Sequence, residues 1–212
     1  MTNRRARPLL VLTLTLLAAT AEAQAPNGAQ RWIATRHAAV TRLLQAHPTG
    51  AALEQRNAQV TRILNDMIDL QELARRSLDP FWAQRTEAER QEFLGLLRQL
   101  IERNYRQNLD RTLDFAVSYE PEQVDAAAGT AVVRTVARSR TDARAAPVTI
   151  EYRMRRSGNA WVVFDLVTNG SSLVQTYHDS YTRIIRDRGF PELITRLRAR
   201  VASLQSGGTT AL

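Results

Sequence analysis

The chain has 212 residues, a formal net charge of +8 and no cysteine, and all 29 of its basic residues are arginine. The absence of cysteine excludes a disulfide framework and a cysteine-bound metal, so packing alone must stabilise the fold. The arginines are spread along the chain instead of forming a dense block with aromatic residues, a distribution that argues against a nucleic-acid-binding protein.

The first segment has the pattern of an export signal. An arginine-rich start, Arg4–Arg7, precedes an apolar run from Leu9 to Ala19 that is too short to span a bilayer comfortably. Ala21-Glu22-Ala23 then offers the small-x-small pattern that signal peptidase cleaves. We therefore predict that the protein is exported, with an uncleaved membrane anchor as the alternative.

The rest of the chain is predicted to form one domain between two flexible ends. Cleavage would leave roughly 190 residues, enough for a single domain with a sizeable core. The predicted division is a signal peptide over 1–23, a flexible lead-in over 24–30, a single domain over 31–204 and a disordered tail over 205–212.

Helical spacing of apolar residues predicts three helices in the first third of the chain. The first runs from Trp32 to Ala46 and is broken by Pro48-Thr49-Gly50. A second, polar-rich helix extends to Met67. The third spans Ile68 to Leu78, because Pro80 disfavours helix in the residue before it.

The clearest predicted helix runs from Thr86 to about Leu109. Its start, Thr86-Glu87-Ala88-Glu89, is a capping box, in which the first and fourth side chains bind each other's backbone amides. The helix carries a broad apolar stripe, for which core packing is the favoured interpretation and a ligand-facing wall the alternative. The stripe consists of Phe93, Leu96, Leu97, Leu100, Ile101 and Tyr105.

The middle of the chain alternates apolar and polar residues with period two and predicts four strands. These strands are Phe115–Tyr119, Thr130–Arg138, Val148–Arg155 and Trp161–Val167. Their connections are short, including a turn at Ser157-Gly158-Asn159, so we expect a mostly antiparallel sheet. Because helices and strands are segregated along the chain, the predicted fold class is α+β.

Two helices are predicted to close the chain. Ser171 or Ser172 can cap a helix that starts at Leu173, and Gly189 is placed to end it. Pro191 then suits the first turn of a last helix. We interpret the two serines as caps and not as nucleophiles.

No set of residues in the sequence predicts catalysis or metal binding. His37, His47 and His178 have no second ligand at helical spacing, and no hydrolase elbow or phosphate-binding glycine motif is present. We therefore expect no metal, no cofactor and no catalytic residue.

One acid, Asp165, lies in an otherwise apolar predicted strand. A carboxylate buried there needs partners to offset its desolvation. A salt bridge to an arginine, or capping by backbone amides near the strand end, is the favoured interpretation. The alternative role is that of a general base.

Motifs near the C-terminal end carry a family resemblance. They are Trp161–Val167, Asn169–Tyr177 and Tyr181–Gly189, and Phe81-Trp82 adds to them upstream. Together they resemble the MlaC family, the toluene-tolerance-type auxiliary proteins of ABC transport, over about residues 33–204.

The resemblance implies both a fold and a function. It implies an NTF2-like α+β domain in which a curved, mostly antiparallel four-stranded sheet and the N-terminal and C-terminal helices enclose an apolar cavity. It also implies a periplasmic, monomeric phospholipid carrier. Its partners would be an inner-membrane ABC transporter complex and an outer-membrane lipoprotein complex, and its role would be to maintain outer-membrane lipid asymmetry.

Elementary energetics agree with such a carrier. A diacyl lipid in water exposes roughly thirty methylenes at about 0.8 kcal/mol each, a cost on the order of 20 kcal/mol. A soluble shell with a dry lining removes most of this cost and needs no catalytic group. The candidate lining residues are Phe93, Leu97, Tyr105, Tyr152, Met154, Val163, Leu173, Tyr177 and Tyr181.

Two other functions remain open on the sequence alone. One is an exported enzyme on the same fold that uses Asp165 as its base. The other is a ligand-free adaptor between two membrane complexes, which would have a filled core and no cavity.

Overall fold

The protein was analysed as a computed structural model that describes residues 28–205. The predicted signal peptide and all but the first residue of the predicted tail lie outside this range. The first helix begins at Ala29, within the last residues of the predicted lead-in. Among residues 28–205, no helix is long and apolar enough to cross a membrane.

Six α-helices are formed by the described residues. They are α1 (Ala29–Leu44), α2 (Ala51–Met67), α3 (Leu70–Ser77), α4 (Glu87–Gln107), α5 (Leu173–Arg188) and α6 (Phe190–Gln205). Short 3-10 turns at Phe81–Gln84 and Asp110–Asp114 flank α4.

Local capping explains where the helices begin. The Thr86 hydroxyl accepts from the backbone N–H of Glu89, whose carboxylate accepts from the N–H of Thr86, so the predicted capping box of α4 is confirmed. Ser172 caps α5 by accepting from the N–H of Gln175 at 3.0 Å. Gly189, with a φ of 83°, ends α5 in a conformation that side chains disfavour.

The third helix starts two residues later than predicted. Ile68 makes a parallel bridge to Val163, and the N–H of Asp69 donates to the carbonyl of Val163 at 2.8 Å. The Asp69 side chain then caps α3 by accepting from the N–H of Glu72. A tertiary contact with the sheet therefore sets this boundary.

The strands form one sheet that is antiparallel throughout. They are β1 (Phe115–Tyr119), β2 (Gln123–Asp125), β3 (Thr130–Ser139), β4 (Val148–Ser157), β5 (Ala160–Thr168) and β6 (Ser171–Ser172). The sheet order is β1-β3-β4-β5-β6, with β2 also paired to β3. The sheet is curved and unclosed, so the predicted α+β class is confirmed, and the four predicted strands are β1, β3, β4 and β5.

A β-bulge interrupts the pairing of β4 with β5. Arg153 is opposite Asp165, whereas Met154 is opposite Val163, so Phe164 is the extra residue. As a result, Val163, Phe164 and Asp165 are all buried in succession, and the usual alternation of inward and outward side chains breaks down. Asp165, next to the bulge, lies within hydrogen-bond distance of Ser172 and Val174, where α5 begins.

The buried core is divided into three apolar clusters. The helical cluster lies among α3, α4, α5 and α6 and is built around Phe93, Leu97, Tyr181 and Leu197. The sheet cluster joins α1 and the end of α2 to β3, β4 and β5. The end cluster comprises Val40, Leu44, Val60 and Leu109.

Candidate functional site

The nine residues predicted to line a lipid cavity are shared among the three clusters. Tyr152, Met154 and Val163 belong to the sheet cluster, and Tyr105 packs against the end cluster. The other five, Phe93, Leu97, Leu173, Tyr177 and Tyr181, belong to or pack against the helical cluster. The structure thus brings them together in groups and not on one continuous wall.

Aromatic rings fill the centre of the helical cluster. The ring of Tyr181 meets that of Phe93 edge-on at 5.7 Å and stacks on that of Tyr177 at 5.2 Å. Tyr181 and Phe93 are fully buried. A lipid tail that reached these rings would have to part the helices around them.

A polar group lies inside the fold between α1 and the sheet. The Nδ1 of His37 is 2.7 Å from the Tyr119 hydroxyl, and its Nε2 is 3.0 Å from the Tyr152 hydroxyl. Burial lowers the pKa of His37 and raises the pKa of Tyr119 to about 12. Burial raises the pKa of Tyr152 as well. A neutral imidazole therefore links α1 to β1 and β4.

Sequence reasoning missed this role of His37. Spacing along a helix indicates only partners on the same helix, whereas both partners of His37 are distant strand residues. In the sequence, the two partners are recognisable only as tyrosines within strands that alternate apolar and polar residues. This pattern is too general to identify them as partners of a histidine.

A narrow seam lies where α2 and α3 meet α4. It holds a small pocket of about 30 Å³ lined by Asn65, Ile68, Leu70, Arg98 and Ile101. Polar contacts join the two long helices along it: the Asn65 amide donates to the Glu102 carboxylate at 2.8 Å, and Arg106 reaches the Thr61 hydroxyl.

The seam lies beside the residues that connect the three clusters. Ile68 packs against both the helical and the sheet clusters, and Ile63 packs against both the sheet and the end clusters. These two isoleucines therefore connect the three apolar clusters, and Ile68 also lines the pocket at the seam.

A wider pocket of about 560 Å³ opens between α3, the end of the sheet and the start of α5. Arg75, Arg76, Arg153 and Asp165 contribute its charges, together with Asp79. The Arg76 guanidinium lies 4.3 Å from the centre of the Phe164 ring. Charged and polar groups at its mouth and wall distinguish this pocket from the apolar clusters.

Asp165 is the buried acid of this pocket, with 3% of its surface exposed. Its Oδ2 accepts from the Ser172 hydroxyl at 2.7 Å and from Arg153 at 3.3 Å, and its Oδ1 accepts from the N–H of Val174 at 3.0 Å. The favoured interpretation, an arginine partner together with a backbone amide, is confirmed in both parts. The carboxylate fixes the start of α5 to the sheet.

Glu72 orders the arginines at the rim of the same pocket. It accepts from Arg75 at 2.8 and 2.9 Å and from Arg76 at 2.7 Å. The hydrogen bond from Arg75, followed by that from Arg76, lowers the pKa of Glu72 to about 2. Both guanidinium groups are thereby partly neutralised.

Helices packed on an open antiparallel sheet define an α+β domain, and solved structures share this fold. One is a phospholipid-binding protein from Ralstonia solanacearum in complex with a phospholipid, similar at a TM-score of 0.69 and 24% identity over 84% of this chain and 98% of that one. A family model described as MlaC protein matches residues 35–199, and the chain therefore belongs to the MlaC family. No curated protein matches the chain.

Family membership confirms the predicted resemblance. The MlaC family is periplasmic, and membership points to a binding or transport protein and not to an enzyme.

Proposed function

We propose that this protein is a periplasmic phospholipid carrier that moves lipid between an outer-membrane lipoprotein complex and an inner-membrane ABC transporter complex, as a monomer. The observation that carries the proposal is membership of the MlaC family. The divided apolar interior, with a seam joined by polar side chains, is also what the ligand-free adaptor would have, and bound lipid distinguishes the two functions. Family membership and the lipid bound to the Ralstonia protein support the choice of cargo.

The carrier function requires the interior to open. Pockets for small molecules usually have volumes of about 300–1,000 Å³. The pocket of about 560 Å³ beside α3 is within this range but is lined by charged groups, and the pocket at the seam has only about 30 Å³. Parting α2 from α4 breaks hydrogen bonds between half-exposed side chains, which water can replace, and it also separates Val60 of α2 from Tyr105 of α4 in the end cluster. The acyl chains then restore the apolar contacts that the separated clusters lose.

In this proposal the nine predicted lining residues face the acyl chains of the bound lipid. The sheet cluster would form one side of the chamber and the helical cluster the other. The proposed chain organisation follows the predicted ranges, with a cleaved signal peptide over 1–23, a lead-in over 24–30, the lipid-binding domain over 31–204 and a tail over 205–212.

The proposal is tested by measuring whether the protein purified from the periplasm carries bound phospholipid. The protein is purified from the periplasm without detergent and its mass is measured by native mass spectrometry, followed by solvent extraction. We expect phospholipid to co-purify, and delipidated protein to take up labelled phospholipid from liposomes. A chain that carries no phospholipid and takes none from liposomes would contradict the proposal.

A further inference from the structure

Strand β1 lies at an open edge of the sheet. It pairs with β3 on one side, and no strand among the described residues pairs with its other side. The N–H of Glu120, just after β1, donates to the carbonyl of Arg134 on β3 at 2.9 Å. Because such bonds alternate along an antiparallel pair, every second residue of β1 directs its backbone N–H and C=O away from β3. These residues are Phe115, Val117 and Tyr119.

The edge lacks the features that usually prevent a further strand from pairing. Sheet edges are commonly protected by charged residues or proline, whereas β1 reads Phe-Ala-Val-Ser-Tyr. Val117 is 42% exposed and Val124 of β2 is 50% exposed, and these are the large apolar side chains that the described residues leave exposed. They lie opposite Ala137 and Ala131 of β3, both buried, so they share this edge and the inner face of the sheet.

The outer face of the same edge carries an arginine that faces a small residue. Arg138 of β3 lies opposite Ala116 of β1, and both are exposed. Neighbouring strands lie about 4.8 Å apart, so a strand added beyond β1 would be about 10 Å from β3. An arginine and a glutamate side chain can span this distance together across an alanine.

Arg138 differs from the other arginines around it. Arg134, earlier on β3, pairs with Glu120 and Glu151. Arg138 makes no ion pair with any residue that the structure describes. The edge therefore combines unpaired backbone groups, an exposed apolar side chain and an arginine without a carboxylate partner.

We propose that β1 is a strand-addition site for an extended, acidic segment of a partner protein. The backbone of the segment pairs with the outward N–H and C=O groups of β1, an apolar residue packs on Val117, and an acidic residue next to it meets Arg138 on the other face. A second copy of this chain fits less well, because the positive net charge makes copies repel each other. The inference goes beyond the carrier function and does not depend on the cargo.

Short synthetic peptides test the site in the full-length exported protein. One labelled peptide alternates valine with glutamate, and a second alternates valine with lysine. A third is the glutamate peptide with N-methylated valines, which keeps the charge but cannot donate from those backbone positions. Fluorescence anisotropy gives each Kd. We expect wild type to bind the first peptide at least about tenfold more tightly than the other two.

Two variants remove the two kinds of contact separately. Val117→Pro deletes an N–H that points away from β3, so the existing pairing is kept. Arg138→Gln deletes the charge, and Arg144→Gln, an exposed residue of the loop after β3, is the control. We expect each of the first two variants to weaken binding of the glutamate peptide about tenfold and the control to leave it unchanged.

Hydrogen exchange locates the bound peptide. In the free protein the amides of Val117 and Tyr119 should exchange quickly, whereas those of Ala116 and Ser118, which face β3, should exchange slowly. Bound glutamate peptide should slow the first two. Binding that leaves Val117 and Tyr119 exchanging as before would overturn the proposal, because the peptide would then lie elsewhere.

Thermal unfolding of each variant checks that it folds. If Val117→Pro does not fold, Val117→Glu replaces it, since this side chain is exposed and a carboxylate there repels the acidic peptide. Equal binding of all three peptides, or of none, overturns the inference. A dimer of wild type that Val117→Pro abolishes would assign the edge to a second copy and also overturn it. Wild type that takes up no lipid contradicts the carrier function but leaves these binding results intact.

Discussion

Asp165 shows how one buried residue can join two elements. Its carboxylate receives hydrogen bonds from Arg153 on β4, from Ser172, and from the backbone of Val174 at the start of α5. Ser172 in turn accepts from Gln175 as the cap of that helix. Asp165 therefore holds the capping residue Ser172 in place at the start of α5. Because both of its carboxylate oxygens already accept hydrogen bonds, Asp165 is poorly placed to take a proton from a substrate.

Replacing Asp165 with Asn tests the structural role against the enzyme alternative. Asn removes the negative charge that accepts hydrogen bonds from Arg153 and from the backbone at the start of α5. Hydrogen bonds to a charged group are worth about 1.5–3 kcal/mol each. We expect the free energy of unfolding in urea to fall by about 2–3 kcal/mol. The control is Asp179→Asn, an exposed residue of α5, which should leave the midpoint nearly unchanged. An Asp165→Asn protein as stable as wild type would contradict the structural role and revive the general-base hypothesis.

His37 makes stability depend on pH in a defined direction. Burial lowers its pKa below the ordinary value of 6.5, so the unfolded chain binds a proton first as the pH falls. The contribution of neutral His37 is therefore complete above about pH 6.5 and is lost progressively below it. The carboxylate of Glu72, with a pKa of about 2, affects stability only at lower pH.

Urea unfolding of wild type and His37→Gln between about pH 7.5 and 5 measures this slope. We expect wild type to lose stability across the range and His37→Gln to lose less, because the group that takes up the proton is absent. His178→Gln, which removes the half-exposed histidine of α5, should keep the wild-type slope. Equal slopes in all three proteins would contradict a buried neutral His37.

The sequence could predict Asp165 but not His37, for a physical reason. An acid in an apolar strand conflicts with its neighbours within a few residues, so the need for partners is visible locally. The partners of His37 are 82 and 115 residues away along the chain. Only the packing of α1 against the sheet brings them together.

The elements with local signals were the ones that could be predicted. The capping box of α4 and the turn residue Gly189 each act within a few residues, and both were found where expected. β2 and β6, with 3 and 2 residues, are too short to show a period of two. The bulge at Phe164 depends on how β4 and β5 pair, which alternation along a single strand does not encode.

The helix pairs α2–α4 and α4–α6 differ in the contacts that hold them together. α4 packs on α6 through many apolar residues of the helical cluster, with polar contacts such as Arg198 to Glu92 at its edge. α2 is joined to α4 by the Asn65–Glu102 and Arg106–Thr61 hydrogen bonds and by a smaller apolar contact in the end cluster. Apolar packing is lost when helices separate, but exposed hydrogen bonds can be exchanged for water. α2 and α4 should therefore separate when lipid enters.

A reversible cross-link across the seam tests this motion. The chain has no cysteine, so Asn65→Cys/Glu102→Cys introduces the only thiols, and a short reducible linker joins them. We expect linked protein to lose lipid uptake from liposomes and to regain it on reduction. The control pair, Glu92→Cys/Arg198→Cys, links α4 to α6 at an existing ion pair and should keep uptake. Equal uptake by both linked proteins would show that lipid enters elsewhere.

At the scale of the whole molecule, the divided core explains how a carrier can be stable when empty. Each cluster buries its own apolar side chains, so the lipid-free chain exposes few large ones: among the described residues, Val117 and Val124 are the exposed examples. In the proposed carrier, lipid would replace contacts between clusters instead of filling a permanent void. An empty cavity of lipid size would forfeit the packing that stabilises a chain without disulfides.

Bound lipid should therefore stabilise the folded chain by mass action. At a free lipid concentration about 100 times the Kd, a ligand that binds only the folded state adds about 2.7 kcal/mol. For a domain of this size, each kcal/mol raises Tm by about 2–4 °C, so loaded protein should unfold about 5–10 °C above delipidated protein. Calorimetry of the two forms measures the difference. The Asn65→Cys/Glu102→Cys protein, linked while empty, should show no rise when lipid is added, because its seam cannot open. A rise in this linked protein would place lipid on the surface, and no rise in wild type would mean that the interior does not receive lipid.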